Sequence, residues 1–317
     1  MPRHFVALVS VILAASPTLA AAPTTPAPGA PAASAPTSQP PHKSFAVTAY
    51  CVVNSLNGNT GFGGRGAAGG ASAGGGPDLA GLESTWNSIS RQIKIDKVYI
   101  ETVRDQTEIK EAYIEPLKRF FLDRGVRVAG GMTLADNNSG QYVTYNYSTQ
   151  KDRDTVKRLS EMTARHFDEI ILDDFFFYNT KTDTDIAAKG TKTWTQYRVD
   201  TMRDVSENYI VKPAHAVNPK VKKIVKYPNW YEHFQANGYD LEKQPFIFDG
   251  FYTGTETRDP VRTEQHLQQY HGYQLFRYLD NIRPGFNGAA GSIPASTTSP
   301  TATPNSSGTP SSPKPPK

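Results

Sequence analysis

Two adjacent carboxylates, Asp173 and Asp174, follow an apolar run and stand directly before three phenylalanines. The run, residues 170–172, is typical of a strand that is buried on both faces in a parallel sheet. A carboxylate at such a position is costly to bury unless it is paired or used. In parallel α/β proteins the chemistry lies at the carboxyl ends of the strands. Asp173 and Asp174 are therefore candidate catalytic residues. The alternative is that they cap the strand or pair with a basic residue.

The elements that would position these carboxylates alternate along the chain as strand-then-helix units. Strands are predicted to centre on residues 46–53, 97–102, 126–132, 169–174, 223–227 and 247–253. Helices are predicted over residues 77–93, 107–123, 151–166, 193–211, 232–237 and 261–282. Polar residues at every strand end favour an α/β fold of the (β/α)₈ TIM-barrel type over a doubly wound sheet. A complete barrel needs two further strands, so this barrel is either incomplete at its C-terminal end or closed by short final units.

The spacing from Asp168 to Asp173 resembles the fourth strand of many glycoside hydrolase barrels, in which an acidic residue begins the strand and the catalytic aspartate ends it. It is similar in this respect to α-galactosidases, α-amylase-type enzymes, endo-α-1,4-polygalactosaminidases and related glycosyl-hydrolase-like barrels. The resemblance covers this strand well and the strand–helix order loosely, and it identifies no single family. It implies that Asp173 is the catalytic aspartate, with Asp174 beside it. Chitinase-type barrels have a glutamate where Phe175 stands, which disfavours their mechanism.

A second carboxylate follows the sixth strand, which begins at Asp249 and Gly250 and is followed by Glu256 and Arg258 on its loop. Glycoside hydrolysis needs two carboxyl groups, one of which protonates the leaving oxygen. Strands four and six of a barrel are close enough to supply them. The resemblance therefore implies that Asp173 is the nucleophile, or the base of an inverting enzyme, and that Glu256 is the general acid. The alternative is a surface glutamate paired with Arg258.

Other side chains near the strand ends could bind sugar, because aromatic rings with polar tips stack on a pyranose and still form hydrogen bonds. The candidate substrate-binding residues are Glu101, Arg104, Tyr178, Tyr227, Trp230 and Arg258. Glu101 and Arg104 could instead pair with each other. Phe175 and Phe177 are predicted to be core residues.

Motifs for other chemistries are absent or incomplete. The sequence contains neither a Gly-x-Ser-x-Gly nor a His-Glu-x-x-His motif. Gly61, Gly63 and Gly66 match the dinucleotide fingerprint, but more glycine follows them and no helix is predicted to begin there. We therefore expect no cofactor. We also expect no metal, although Asp173 and Asp174 leave an oxygen-only site open as an alternative.

Both ends of the chain differ in composition from its centre. An early positive charge, an apolar stretch and a small-residue end predict a signal peptide over residues 1–21, which is too short for a membrane span. Residues 22–43 and 289–317 are rich in Ala, Pro, Ser and Thr and are predicted to be a linker and a disordered tail. The barrel domain is then predicted over residues 44–288, which suits one domain.

Charge and cysteine content exclude two features, a nucleic-acid-binding surface and a disulfide framework. The net charge is +4, with basic residues interleaved among acidic ones, so no nucleic-acid-binding surface is predicted. Cys51 is the sole cysteine, which excludes an intrachain disulfide framework.

We predict a monomeric, secreted or periplasmic glycoside hydrolase that acts on a polysaccharide or oligosaccharide. The alternative is a non-catalytic carbohydrate-binding or surface protein on a degenerate barrel.

Overall fold

The computed structural model describes residues 11–15, 45–56, 76–135, 143–173, 175–228, 234–254, 264–284 and 287–290. The strands are β1 (Val11–Ala15), β2 (Phe45–Cys51), β3 (Lys97–Arg104), β4 (Thr107–Glu108), β5 (Arg127–Met132), β6 (Glu169–Leu172), β7 (Lys222–Tyr227), β8 (Gly250–Thr253) and β9 (Asn287–Ala290). The α-helices are α1 (Val53–Leu56), α2 (Leu79–Ser90), α3 (Glu111–Leu122), α4 (Gln150–His166), α5 (Asp183–Lys189), α6 (Trp194–Asp204), α7 (Lys212–Val217), α8 (Gln244–Ile247) and α9 (Glu264–Ile282). A π-helical segment, Val205–Val211, joins α6 to α7, and a 3₁₀ turn covers Gln235–Asn237.

The described strands form one sheet in the order β1-β2-β3-β5-β6-β7-β8-β9. Every neighbouring pair from β2 to β9 is parallel. The helices pack around this sheet, so the fold is an incomplete (β/α) barrel. The prediction of six parallel strands in barrel order is confirmed.

Three pairings lie outside that prediction. β9 is a seventh parallel strand, and it crosses the predicted end of the domain at residue 288. β1 pairs antiparallel with β2, although its residues belong to the segment predicted to be a signal peptide. β4 is a two-residue strand that turns back antiparallel to the end of β3.

Threonines precede three of the helices that begin near the carboxyl end of the strands. Thr149, Thr182 and Thr193 precede α4, α5 and α6, and each side chain accepts a backbone N–H from the first helical turn. Asp185 completes a capping box with Thr182. Such caps satisfy N–H groups that a helix cannot satisfy itself. The caps fix where each helix starts relative to the strand before it.

Strand alternation divides the core into two apolar layers. The larger layer lies between the sheet and the helices and includes one face of α3. The smaller layer fills the interior side of the sheet and consists of Tyr99, Ala129, Ile171, Ile224 and Tyr252, with Tyr50 packed against it. Since side chains on a strand point alternately to the two faces, the polar residues that continue this second layer also face the interior.

Two glycines let strand β5 approach its neighbours on both faces. A Cβ atom at Gly130 would lie 2.7 Å from Thr163 Cγ2 on α4 and 2.8 Å from a Phe167 ring carbon. A Cβ atom at Gly131 would lie 2.7 Å from the Tyr50 ring in the interior. Real Cβ contacts are longer than this, so only glycine allows the helix and the tyrosine ring to sit where they do.

Candidate active site

Side chains from five parallel strands meet at the carboxyl end of the barrel interior. Asp173 directly follows β6, and Thr133 lies just beyond β5. Arg104 ends β3, and Lys226 lies near the end of β7. Tyr50 reaches the same place from β2. This is the end at which barrel enzymes place their reacting groups.

Asp173 lies between two cations. Lys226 Nζ donates to its Oδ1 at 3.0 Å, and Arg104 Nη2 donates to its Oδ2 at 3.3 Å. The Thr133 hydroxyl lies 3.4 Å from Oδ2. The Asp173 side chain is 14% exposed, so solvent and a ligand can reach it. Nearby cations favour the charged form of a carboxyl group, which suits a nucleophile or a base.

Glu101 is the second carboxylate of this cluster, and its side chain is 0% exposed. Both of its oxygens accept from Arg104 Nε, at 2.9 and 3.0 Å. Oε2 also accepts from the Val53 backbone N–H at 2.8 Å, and Oε1 accepts from the Thr133 hydroxyl. Burial raises the pKa of the Glu101 carboxyl, while these donors act in the opposite direction. With no exposed surface, Glu101 cannot contact a substrate.

Arg104 joins the two carboxylates. Burial alone would lower the pKa of its guanidinium, but the Glu101 and Asp173 carboxylates raise that pKa above its usual value. The guanidinium therefore stays charged. Notably, the sequence left open whether Arg104 binds sugar hydroxyls or pairs with Glu101; in the structure it pairs with Glu101 and also reaches Asp173.

Tyr50 and Thr133 extend the cluster with hydroxyl groups. The Tyr50 oxygen lies 3.2 Å from the Thr133 oxygen. Burial, together with the negative charges of Glu101 and Asp173, raises the pKa of Tyr50 well above its usual value. Tyr50 therefore keeps its proton and can donate a hydrogen bond at the mouth of the barrel.

Tyr178 and Tyr227, two predicted substrate-binding residues, are not brought to this cluster. Each side chain is fully buried. Tyr227 neighbours Lys226 on β7, so it points to the opposite face, where its ring packs against Tyr239. The Tyr178 hydroxyl donates to the buried Asp185 carboxylate. Both tyrosines belong to the layer between the sheet and the helices, where sugar cannot reach them.

The other predicted site residues lie outside the described part of the chain. These are Asp174, Trp230, Glu256 and Arg258. Their roles stay predictions. By contrast, Asp249 is described at the start of β8, where it accepts the Lys223 backbone N–H at 2.8 Å, at the end of the barrel away from Asp173.

Three members of the cluster, Lys226, Thr133 and Tyr50, were not predicted as site residues. The feature that could have identified them is that side chains along a strand face the interior at every second residue. Lys226 stands two residues after Ile224, an interior residue, and Tyr50 pairs in register with Tyr99, another interior residue. Counting by twos from an interior residue would have found them, but the sequence does not say which set of alternate residues faces the interior.

Neither a metal-binding group nor a membrane-spanning helix is found in the described parts of the chain. No group of three or more His, Cys, Asp and Glu side chains in these residues is placed to hold a metal ion. No helix in the same residues is long and apolar enough to span a bilayer.

The opposite end of the barrel interior carries a separate ion pair. Glu169, at the start of β6, contacts the Lys97 ammonium and the Tyr99 hydroxyl. Burial opposes ionisation of Glu169, but Lys97 and Tyr99 outweigh it and hold its pKa below the usual value of about 4.5. Polar groups at the start of barrel strands serve stability rather than chemistry.

The lowered pKa of Glu169 predicts a loss of stability in acid. A carboxyl group whose folded pKa is depressed stabilises the folded state fully above its unfolded pKa, and this contribution disappears as pH falls through the folded pKa. Urea unfolding from about pH 7 down to about pH 3 should show Glu169→Gln less stable than the parent near neutrality. The difference should shrink below about pH 4.5. A difference in unfolding free energy between variant and parent that stays constant over this pH range would contradict the lowered pKa of Glu169.

Comparison with protein families now identifies the chain. The family described as "Probable glycosyl hydrolase, catalytic domain" matches residues 77–297, which include β3 to β9 and every member of the Asp173 cluster except Tyr50. The chain belongs to this family. The resemblance to glycoside hydrolase barrels, which covered the fourth strand well and the strand–helix order loosely, is confirmed.

One curated relative of this probable glycosyl hydrolase matches part of the chain. An uncharacterized protein of Saccharolobus solfataricus is 31% identical over 197 residues, which cover 53% of this chain and 33% of the relative. The chain thus spans about a third of the length of that curated relative.

Two solved structures of glycosidases resemble the probable glycosyl hydrolase weakly. A β-galactosidase of Marinomonas ef1 is 12% identical with a TM-score of 0.40, covering 57% of this chain and 41% of the other. A β-glucuronidase of Bacteroides uniformis is 6% identical with a TM-score of 0.39, covering 65% of this chain and 21% of the other. Similarity at this level does not bear on the substrate.

Proposed function

We propose that this chain is a glycoside hydrolase that cleaves O-glycosidic bonds in a polysaccharide or oligosaccharide, with Asp173 as its reactive carboxylate. The observation that carries the proposal is the position of Asp173. It lies partly exposed at the carboxyl end of β6, between Lys226 and Arg104, in a chain of the glycosyl hydrolase family. The chain needs no cofactor for this chemistry, because carboxyl groups suffice.

Asp173 acts as an anion in this mechanism. The two cations favour its ionised form, and the ionised oxygen either attacks the anomeric carbon or removes a proton from the attacking water. Sugar binding at the barrel mouth displaces water around Asp173. Tyr50 and Lys226, which line the same interior end, can then hydrogen-bond the sugar hydroxyls.

The proton donor has to be a second carboxyl group. Glu101 does not suit this role, because its side chain is 0% exposed and its oxygens already accept from Arg104, Val53 N–H and Thr133. Glu256 is our candidate, as the sequence predicts. A separation between the two carboxyl groups of about 5 Å implies retention of configuration, and roughly 6.5–9.5 Å implies inversion.

A screen for turnover tests the proposed function. The full chain should release reducing sugar from at least one member of a panel of polysaccharides and aryl glycosides. Calorimetry with the same polysaccharides measures binding independently. Binding without release on every substrate would overturn the proposal and favour the second candidate, a carbohydrate-binding protein. One observation favours that candidate: the described strands form an incomplete barrel.

We also propose that the protein is exported as a monomer and loses its first residues. The support for export is the sequence pattern of residues 1–21, which ends in the small residues Ala20 and Ala21. Mass spectrometry of the protein secreted from its host should give a mature N-terminus near Ala20 or Ala21. An intact Met1 terminus would contradict export by this route.

A further inference from the structure

The end of strand β3 departs from regular alternation next to Asp173. In the parallel pairing with β5, Glu101 lies opposite Gly131 and Val103 lies opposite Met132, so one residue is inserted between them. Thr102 and Val103 consequently both face the helices. Thr102 Oγ1 bonds the Gly131 carbonyl and the Thr163 hydroxyl of α4, and Val103 belongs to the helix-side core. This is a β-bulge, a feature that re-aims the side chains after it.

The bulge decides where Arg104 points. In a regular strand, residues three apart lie on opposite faces, so Glu101 and Arg104 would be separated by the sheet. With Thr102 inserted, Arg104 returns to the interior face beside Glu101, and its Nε lies 2.9 Å from Glu101 Oε1. Its Nη2 is then aimed at Asp173 Oδ2.

We propose that Arg104 is a positioning residue for Asp173, and that the buried Glu101 and the Thr102 bulge hold its guanidinium in place. The inference rests on the proposed function in taking Asp173 as the reactive carboxylate. Glu101 does not contact a substrate. It acts through Arg104, which fixes the orientation of the Asp173 carboxylate and favours its ionised form.

The charged and titratable groups around Asp173 determine whether each substitution raises or lowers the Asp173 pKa. Among the residues that the structure describes, these groups include Tyr50 from β2, Glu101 and Arg104 from β3, and Lys226 from β7. Loss of the Arg104 cation removes an attraction for the ionised form, so it raises the Asp173 pKa. Loss of the Glu101 anion has two opposite effects. If the guanidinium stayed in place, the Asp173 pKa would fall, because a nearby negative charge is gone. If the guanidinium leaves Asp173, that pKa rises.

The experiment measures the pKa of the Asp173 carboxyl by NMR titration of the full chain labelled with ¹³C-aspartate. The Asp173 signal is assigned by its absence in Asp173→Asn. Arg104→Gln should raise the Asp173 pKa by about one to three pH units. Glu101→Gln should also raise it. Lys97→Gln, which removes the partly buried cation at the other end of the barrel, is the matched control and should leave the Asp173 pKa unchanged. The titration needs no turnover, so its outcome is independent of the sugar-release screen.

The sign of the Glu101→Gln change decides the inference. A fall, or no change, would show that Arg104 keeps its place without Glu101 and would overturn the proposal. If Glu101→Gln does not fold, Arg104→Lys tests the same point, because lysine keeps a positive charge beside Glu101 but cannot bond both carboxylates. In that variant the Asp173 pKa should again rise, and an unchanged value would overturn the proposal.

Where the screen yields an aryl glycoside substrate, the same variants have a kinetic signature. The acid limb of the kcat profile should move to higher pH with the Asp173 pKa, while KM changes little, because Arg104 is not needed to hold the sugar. A purely structural role for the Glu101–Arg104 pair would lower the folded fraction and leave the pH profile of the remaining activity unmoved.

Discussion

Asp173→Asn is expected to lower kcat by about 10³-fold or more on any substrate that the sugar-release screen identifies. Asparagine has nearly the same shape, but its amide can neither attack an anomeric carbon nor accept a proton from water. The fold should persist, since Glu101 still compensates Arg104. Initial rates, with circular dichroism to verify the fold, measure both parts of this prediction.

Glu169→Gln is the matched control for Asp173→Asn. Glu169 and Asp173 stand at the two ends of strand β6, both face the interior and both pair with lysines. The control should keep kcat within a few-fold of the parent. If Asp173→Asn keeps near-normal rates while Asp174→Asn is inactive, the reactive carboxylate is Asp174. If both variants keep activity, neither residue carries the reaction.

Glu101→Ala is expected to reduce the free energy of unfolding by about 3–5 kcal/mol, the usual result of breaking a buried ion pair. The change leaves the largely buried Arg104 with one carboxylate in place of two. It also removes the acceptor of the Val53 backbone N–H and of the Thr133 hydroxyl. Unsatisfied buried donors add to the loss. Urea unfolding at neutral pH measures the difference.

Glu169→Ala provides the comparison for this stability effect. Its carboxylate also pairs with an interior cation, but the Glu169 side chain is 25% exposed, so water can replace part of the lost interaction. We expect a loss of about 1 kcal/mol there. Equal losses for the two variants would mean that burial does not govern the strength of these pairs.

The apolar runs of the sequence predict the sheet well, because burial on both faces leaves a continuous signal in each central strand. Among the parallel strands, β9 is the exception because it was not predicted. Its sequence, Asn-Gly-Ala-Ala, contains no β-branched or aromatic residue. Pairing with β8 makes it a strand, and no local pattern reveals that. Helix α5 was also missed, although the capping-box residues Thr182 and Asp185 do mark its start.

The candidate site is harder to predict than the fold, because it depends on which face each side chain takes. Asp173, Glu101 and Arg104 are recognisable as charged residues at strand ends, and they do meet. Tyr227 is as prominent in the sequence as Lys226, yet a single step along β7 decides that Lys226 faces the interior and Tyr227 the helices. The bulge at Thr102 reverses the expected face of Arg104. Neither choice is encoded in composition or spacing.

The antiparallel strand β1 bears on the order of events in a cell. Val11 to Ala15 pair residue by residue with Ala49 to Phe45 of β2, so in the full-length chain this part of the predicted signal peptide belongs to the folded sheet. A translocation channel passes only unfolded chain, so this pairing cannot be present while the chain is exported. If residues 1–21 are a signal peptide, removal has to precede folding. The mature protein would then present a long edge of β2 that another strand could occupy, whether from its own tail or from a neighbouring molecule.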